Sequence, residues 1–129
     1  MSDALVIIPT YNEKENIEAI IRATFKQETQ FNILIIDDNS PDKTSEIVTR
    51  LITEFPNRLF LEKRSNKNGL GSAYIHGFKW AIKNNYDYII EMDADFSHNP
   101  KDLNHLYKTC KTGGADVSIG SRYVNNKVN

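Results

Sequence analysis

The sequence predicts an α/β fold in three layers, with a mostly parallel sheet between two layers of helices. Short β-branched runs of strand length alternate along the chain with segments whose apolar residues recur every three or four positions. Such alternation is typical of right-handed βαβ units, which build parallel sheets. The length of 129 residues and the 40% apolar content suit a single domain around one core.

The first half of the chain contains two predicted strands and two predicted helices. The continuous apolar run over 4–8 predicts a strand that is buried on both faces. Apolar side chains spaced by three and four positions over 17–25 predict a helix, with Asn12 as its expected cap. Residues 33–37 repeat the pattern of the buried strand, and residues 47–55 repeat the helical pattern.

The second half continues this alternation. A short strand is expected at 59–61, followed by a helix over 69–82 that begins at a pair of glycines. Residues 88–92 form the next predicted strand, and Pro100 suits the start of another helix. The last predicted strand covers 116–120.

Composition excludes several classes of protein. The net charge of −1 argues against binding nucleic acid or a membrane surface through bulk electrostatics. The single cysteine, Cys110, rules out an internal disulfide and a zinc site built from several cysteines. The sequence shows no signal peptide and no apolar run near the ~20 residues of a membrane helix. A soluble, cytoplasmic chain is therefore expected.

Polar residues follow four of the predicted strands, in the segments 9–13, 37–40, 93–95 and 120–123. Open α/β sheets bind their ligands outside the carboxyl ends of the strands. A single acidic strand end is usually a helix cap, but four polar clusters on one edge favour a binding site. The sequence thus predicts a functional site at this edge.

Asp93 and Asp95 form the most informative of these clusters. Two carboxylates at the end of one strand repel each other unless a cation or a proton lies between them. Hard oxygen ligands favour Mg²⁺ or Mn²⁺ over zinc, and these ions complete their coordination shell with substrate phosphates. The alternative is that Asp95 only caps the turn before Pro100.

Asp37 and Asp38 have the same position at the end of the second strand. They are candidates to hold a metal ion or to accept hydrogen bonds from a ribose or a base. The polar residues that follow are expected to form a turn and the next helix cap; they are Asn39, Ser40 and Asp42.

Two further features leave alternatives open. The segment that starts at Gly69 and Gly71 lacks the third glycine of a dinucleotide motif and the lysine of a P-loop. Its glycines suit a phosphate-binding turn and a simple tight turn equally well. Arg122 follows the last predicted strand, where a guanidinium suits phosphate binding but is also common as an ordinary surface side chain.

Together these motifs resemble a known family. Five blocks in the same order carry the resemblance: Val6–Glu13, Ile36–Thr44, Gly69–Tyr74, Met92–Pro100 and Gly120–Tyr123. They resemble the inverting family-two glycosyltransferases of the GT-A fold, a Rossmann-like nucleotide-sugar-binding fold. Within that family they look most like the dolichyl- or polyprenyl-phosphate mannose synthases, and the resemblance spans almost the whole chain.

The resemblance implies a hexosyltransferase that transfers mannose from GDP-mannose to dolichyl or polyprenyl phosphate with inversion, using Mg²⁺ or Mn²⁺. The positions that match the nucleotide-sugar site are Pro9, Tyr11, Glu13, Asp37, Asp38 and Asp93. Asp93, Asp95 and Ser97 match the metal site, with Asp95 as the main ligand. Relatives can have glutamine at the position of Ser97, so the shorter serine implies a water or a different ligand there. Arg122 matches an arginine that holds the acceptor phosphate, and with Asp95 it is the implied catalytic pair.

Length is where the chain departs from the family. Members of the family continue for roughly as many residues again. Taken without the resemblance, the polar residues 122–129 suggest only a disordered tail. Residues 1–129 are therefore expected to be one donor-binding domain of a longer enzyme and to be inactive alone. The missing C-terminal part is expected to receive the polyprenyl phosphate and to associate with the cytoplasmic face of a membrane.

Three other interpretations remain. The nearest is a family-two enzyme that uses UDP-glucose or UDP-GlcNAc, because the sequence does not indicate which nucleotide base the donor carries. Another is a nucleotide-sugar-binding fragment without catalysis. A receiver domain of a signalling relay is also a small α/β fold with acidic residues, but it needs a lysine after its last strand, where Arg122 stands.

Overall fold

A computed structural model describes residues 3–65, 70–95, 99–113, 117–118 and 122–125, with the backbone alone at residue 70 and beyond residue 109. In chain order its elements are β1 (Ala4–Thr10), α1 (Ile17–Phe25), β2 (Asn32–Asp37), α2 (Thr44–Glu54), β3 (Leu59–Lys63), α3 (Leu70–Lys83), β4 (Tyr88–Glu91), α4 (Asp102–Gly113), β5 (Val117–Ser118) and β6 (Arg122–Asn125). No helix in these segments combines the length and apolar character needed to cross a membrane.

The strands form one sheet in the order β3-β2-β1-β4-β6-β5. The pairs from β3 to β4 are parallel, whereas β6 runs antiparallel to both β4 and β5. Thr10, Asp37 and Lys63 lie side by side at the carboxyl ends of β1, β2 and β3. The predicted α/β fold with a mostly parallel sheet is therefore confirmed.

Helices cover both faces of the sheet and produce the three layers. Every residue of β1 is buried, and alternate side chains enter different clusters. Val6 and Ile8 belong to the larger cluster, which also contains buried residues of α1, α2 and α4. Leu5 and Ile7 face α3 on the other side. At Gly77 of α3 an added Cβ would lie 2.7 Å from Cγ2 of Ile7, so this helix packs directly on β1.

The expected cap of α1 is wrong. Residues 13–16 form a turn in which the N–H groups of Asn16 and Ile17 donate to the carbonyl of Glu13, so the helix begins after Asn16. Asn12 lies earlier, at a φ of 56°, and its Oδ1 accepts a hydrogen bond from the N–H of Asp42. Asn12 thus joins two loops, a role that depends on a residue distant in the sequence.

The end of the chain also differs from the expected tail. Residues 122–125 form β6, which pairs with β4 from Glu91 opposite Arg122 to Tyr88 opposite Asn125. This strand forms by pairing with β4, which lies more than 30 positions earlier in the sequence. The polar composition of the segment alone therefore does not predict it. Of the predicted strand 116–120, residues 117–118 are in β5 and the others lie outside the described residues.

Candidate functional site

Asp37 forms the most buried part of the predicted site. Its Oδ1 accepts hydrogen bonds from Oγ1 of Thr10 at 2.7 Å and from Oγ of Ser40 at 2.6 Å. Its Oδ2 accepts one from the N–H of Ser40 at 3.1 Å. Asp37 is only 1% exposed, and both of its carboxylate oxygens have protein donors, so it joins the end of β1 to the loop after β2. Its side chain therefore contributes to the site by holding these two segments together.

Asp38 forms a buried ion pair that the sequence reasoning missed. Nε of Arg64 donates to its Oδ1 at 2.6 Å, and Nη2 of Arg64 donates to its Oδ2 at 2.7 Å. The two side chains are 10% and 7% exposed, and this bidentate hydrogen bonding raises the pKa of the guanidinium against the opposing effect of burial. Arg64 directly follows β3, so the rule that functional side chains follow parallel strands was the available signal.

The loops after β1 and β2 hold each other in place. Three backbone N–H groups of the first loop donate to side chains in the second loop or at its junction with α2: Asn12 to Ser40 at 2.9 Å, Glu13 to Thr44 at 3.1 Å and Lys14 to Asp42 at 3.0 Å. Asp42 in turn accepts the N–H of Thr44 at the start of α2, as expected for a residue near a helix cap. Tyr11, which is 36% exposed, and Glu13 are therefore presented on a braced loop.

Glu13 lies among other carboxylates. Burial raises its pKa most, and the negative charges of Asp95, Asp42 and Asp93 raise it further, against a hydrogen bond from Asn16 that lowers it. Its Oε2 is buried and has no hydrogen-bond partner within the described part of the chain. This acidic cluster therefore concentrates negative charge that a cation would stabilise.

The raised pKa of Glu13 predicts how stability depends on pH. In the metal-free chain, the contribution of Glu13 to the free energy of unfolding is fully present below its ordinary pKa of 4.5. This contribution is lost as the pH rises through the raised pKa. We expect Glu13→Gln to remove this loss, so that the variant gains stability over the parent chain as the pH rises from 4.5 through the raised pKa. Urea unfolding at several pH values measures the difference. Glu15→Gln, an exposed neighbour, is the control, and parallel pH profiles for Glu13→Gln and the parent chain would contradict the prediction.

Asp93 and Asp95 follow β4 and complete the cluster. The N–H of Met92 still bonds to the carbonyl of Ile7, so the chain leaves the sheet just before Asp93. Oη of Tyr74 donates to Oδ1 of Asp93 at 2.8 Å, whereas Asp95 is exposed. Among the residues whose positions are described, no three His, Cys, Asp or Glu side chains come close enough together to hold a metal ion.

The remaining predicted site residues are less fully placed. Pro9 lies within β1, where it is buried and pairs with Ile36 of β2. The backbone of Arg122 pairs with Glu91 near the end of β4, and its side chain is not among those described. Ser97 and the first glycine of the segment that begins at Gly69 lie outside the described residues.

Two cavities lie away from the acidic cluster. One of about 790 Å³ is lined by residues at the end of α1 and before α4, including Lys26 and Asn99. The other, of about 620 Å³, lies near the amino ends of β2 and β3 and includes Trp80 and Tyr86. The convergence of charged side chains, and not cavity volume, therefore identifies the candidate site.

Comparison of the sequence with known proteins gives a consistent result. Residues 5–129 match the family described as Glycosyl transferase family 2. The chain is 45% identical over 120 residues to polyprenol monophosphomannose synthase of Mycolicibacterium smegmatis, covering 93% of the chain and 45% of that protein. It is 40% identical over 121 residues to dolichol-phosphate mannosyltransferase of Pyrococcus furiosus, covering 92% and 33%. The chain thus spans a third to about half of the length of these relatives.

Solved structures show the same fold. A mannosyltransferase from Pyrobaculum calidifontis in complex with GDP-Man and Mn²⁺ matches with a TM-score of 0.66 and 26% identity, over 72% of this chain and 27% of that one. TarS of S. aureus matches with a TM-score of 0.71 and 24% identity, over 91% and 34%, which supports the GT-A fold alone. Because the family match runs from residue 5 to residue 129, the chain belongs to glycosyl transferase family 2.

Proposed function

We propose that this chain is the donor-binding part of a longer inverting hexosyltransferase that transfers mannose from GDP-mannose to dolichyl or polyprenyl phosphate. The observation that carries the proposal is that Glu13, which follows β1, and Asp93 and Asp95, which follow the adjacent parallel strand β4, lie at the same carboxyl edge of the sheet. The names of the relatives and the GDP-Man complex of the structural neighbour support the same substrates.

Two carboxylates of the cluster, those of Asp93 and Asp95, fit a divalent cation. Carboxylate oxygens are hard ligands, and Mg²⁺ and Mn²⁺ are commonly held by one or two carboxylates together with substrate phosphates. Asp93 and Asp95 would hold the ion, with Asp95 as the main ligand and Ser97 as a further contributor. The buried, unpartnered Oε2 of Glu13 marks the negative charge that the ion would balance. The ion, when bound, offsets the charge that develops on the leaving diphosphate.

The side chains of the first two loops would hold the nucleotide. Tyr11 is exposed on the braced loop beside Pro9, and Asp38 is fixed in orientation by Arg64. Each oxygen of Asp38 still has a lone pair to accept a ribose hydroxyl, because a carboxylate offers about four acceptor positions. Asp37 would contribute indirectly, by holding the end of β1 and the loop after β2 together.

The acceptor requires little activation by the protein. A phosphate monoester is largely ionised at pH 7, since its second pKa is near ~6, and it can attack the anomeric carbon without a strong general base. Positioning and charge stabilisation then supply most of the rate acceleration. Arg122, with its backbone beside the end of β4, would hold the acceptor phosphate. Binding of the lipid, association with the cytoplasmic face of a membrane and transfer itself are properties that we assign to the longer enzyme.

Calorimetric titration tests the proposal directly. The chain is titrated with GDP-mannose, UDP-glucose and UDP-GlcNAc, each with and without Mn²⁺. We expect GDP-mannose to bind most tightly and only its binding to depend strongly on the metal. A folded chain that binds none of the three in a metal-dependent way contradicts the proposal. Preference for a UDP-sugar would instead favour a family-two enzyme with a different donor.

A further inference from the structure

The first turn of α3 contacts both sides of the candidate site. It begins at the glycine-containing segment whose role the sequence left open, and its described side chains include Ser72 and Tyr74. Gly77, one turn further along, packs directly against Ile7 of β1, and Ala73 is buried in the same cluster. The helix is therefore packed tightly against the sheet, which fixes the backbone positions from which the side chains near its start extend.

Tyr74 contacts the metal side of the site. Its hydroxyl donates to Oδ1 of Asp93 at 2.8 Å, across 19 positions in the sequence. A carboxylate at the frayed end of a strand has a freely rotating side chain unless a neighbour orients it. The hydrogen bond fixes one oxygen of Asp93, so that the other oxygen has a defined direction.

Ser72 contacts the nucleotide side through a second residue. Nη1 of Arg64 donates to Oγ of Ser72 at 2.8 Å, while the Nε and Nη2 atoms of the same guanidinium bind Asp38. A planar guanidinium that binds a carboxylate by two atoms and a serine by a third has little freedom to rotate. Ser72 therefore supports Asp38 indirectly, by fixing the guanidinium of Arg64.

The spacing of the two residues explains how the start of α3 can contact residues that follow two different strands. Residues two apart on an α-helix do not face each other, because each residue advances about 100° around the axis. Ser72 therefore reaches Arg64 after β3 while Tyr74 reaches Asp93 after β4. We propose that Ser72 and Tyr74 are positioning residues that set the placement of the nucleotide-binding carboxylate and the metal-binding carboxylate relative to each other. This inference rests on the proposed function.

The metal side is tested with Tyr74→Phe, which keeps the ring and removes only the hydroxyl. Mn²⁺ is titrated into the chain in the presence of GDP, with electron paramagnetic resonance reporting free and bound metal. We expect Mn²⁺ affinity to fall about 10- to 100-fold, as is usual when the hydrogen-bond partner of a metal ligand is removed. The affinity for GDP without metal should not change. Tyr86→Phe is the matched control, because that hydroxyl bonds to Asn32 at the opposite end of the sheet.

The nucleotide side is tested with Ser72→Ala. Loss of one supporting hydrogen bond should weaken GDP binding without metal by about 2- to 10-fold, and Ser72→Thr, which keeps a hydroxyl, should restore most of it. The Mn²⁺ midpoint at saturating GDP should stay the same. This separation of effects is what positioning predicts, since a general loss of structure would weaken both ligands together.

The outcomes separate this inference from the proposed function. If the parent chain binds Mn²⁺ and GDP but Tyr74→Phe and Ser72→Ala bind both as tightly as the parent, the positioning role is wrong and the proposed function stands. If each variant weakens both ligands equally, the residues are only structural and the inference is again wrong. If the folded parent chain binds neither ligand, the proposed function and this inference fail together.

Discussion

Replacing Arg64 by alanine should destabilise the chain by about 3 kcal/mol. The guanidinium and the Asp38 carboxylate are 10% and 7% exposed, so the substitution leaves a carboxylate largely shielded from water without its two donors. Removing one partner of a buried ion pair costs more than the pair itself contributes, because the remaining charge is not compensated. Urea unfolding at pH 7 measures the loss.

Two comparisons make this expectation specific. Arg50→Ala removes an ion pair with Glu18 whose side chains are 65% and 41% exposed, and it should cost less than about 1 kcal/mol. The double variant Arg64→Ala, Asp38→Asn should recover part of the stability, because the uncompensated charge is then absent. Equal losses in Arg64→Ala and Arg50→Ala would show that the pair at the site is no more important than one in solvent.

Replacing Asp95 by alanine should abolish the metal dependence of donor binding and lower the affinity for Mn²⁺ by more than about 100-fold. Loss of a residue that only hydrogen-bonds to a metal ligand already lowers metal affinity by about 10- to 100-fold. Asp95 is exposed, so the free energy of unfolding should change by less than about 0.5 kcal/mol. Titration calorimetry with GDP-mannose, with and without Mn²⁺, measures the first effect, and thermal unfolding measures the second.

A matched variant and the alternative role of Asp95 decide how this result is interpreted. Asp102→Ala removes an exposed carboxylate at the start of α4 and should leave the metal dependence intact. If Asp95→Ala instead loses stability and keeps the metal dependence, Asp95 is the cap of the turn before Pro100, as the sequence also allowed.

The fold was predictable from the sequence because it depends on local patterns. The continuous apolar run that became β1 and the helical spacing that became α1 are both properties of adjacent residues. By contrast, β6 depends on hydrogen bonds to β4, and the role of Asn12 depends on Asp42, so neither pattern is visible locally. Non-local pairing is what single-sequence reasoning lacks.

The candidate site shows the same limit. Reasoning from strand ends identified Asp37, but not its hydrogen bond with Thr10, which lies 27 positions earlier. The sequence shows which residues reach the edge of the sheet and not which way each carboxylate turns. Tyr74 was part of a recognised segment, yet its contact with Asp93 follows only from the packing of α3 on β1.

The paired loops after β1 and β2 have a consequence for the thermodynamics of the proposed donor binding. Three hydrogen bonds from backbone N–H groups to side chains join them in the absence of a ligand. Ordering a loop on binding costs conformational entropy, which lowers the affinity that the contacts would otherwise produce. Here that ordering is part of folding, so in the proposed donor site Tyr11 and Glu13 would make their contacts without that loss. The proposed function therefore implies that the stability of the chain and its affinity for a nucleotide are coupled through these two loops.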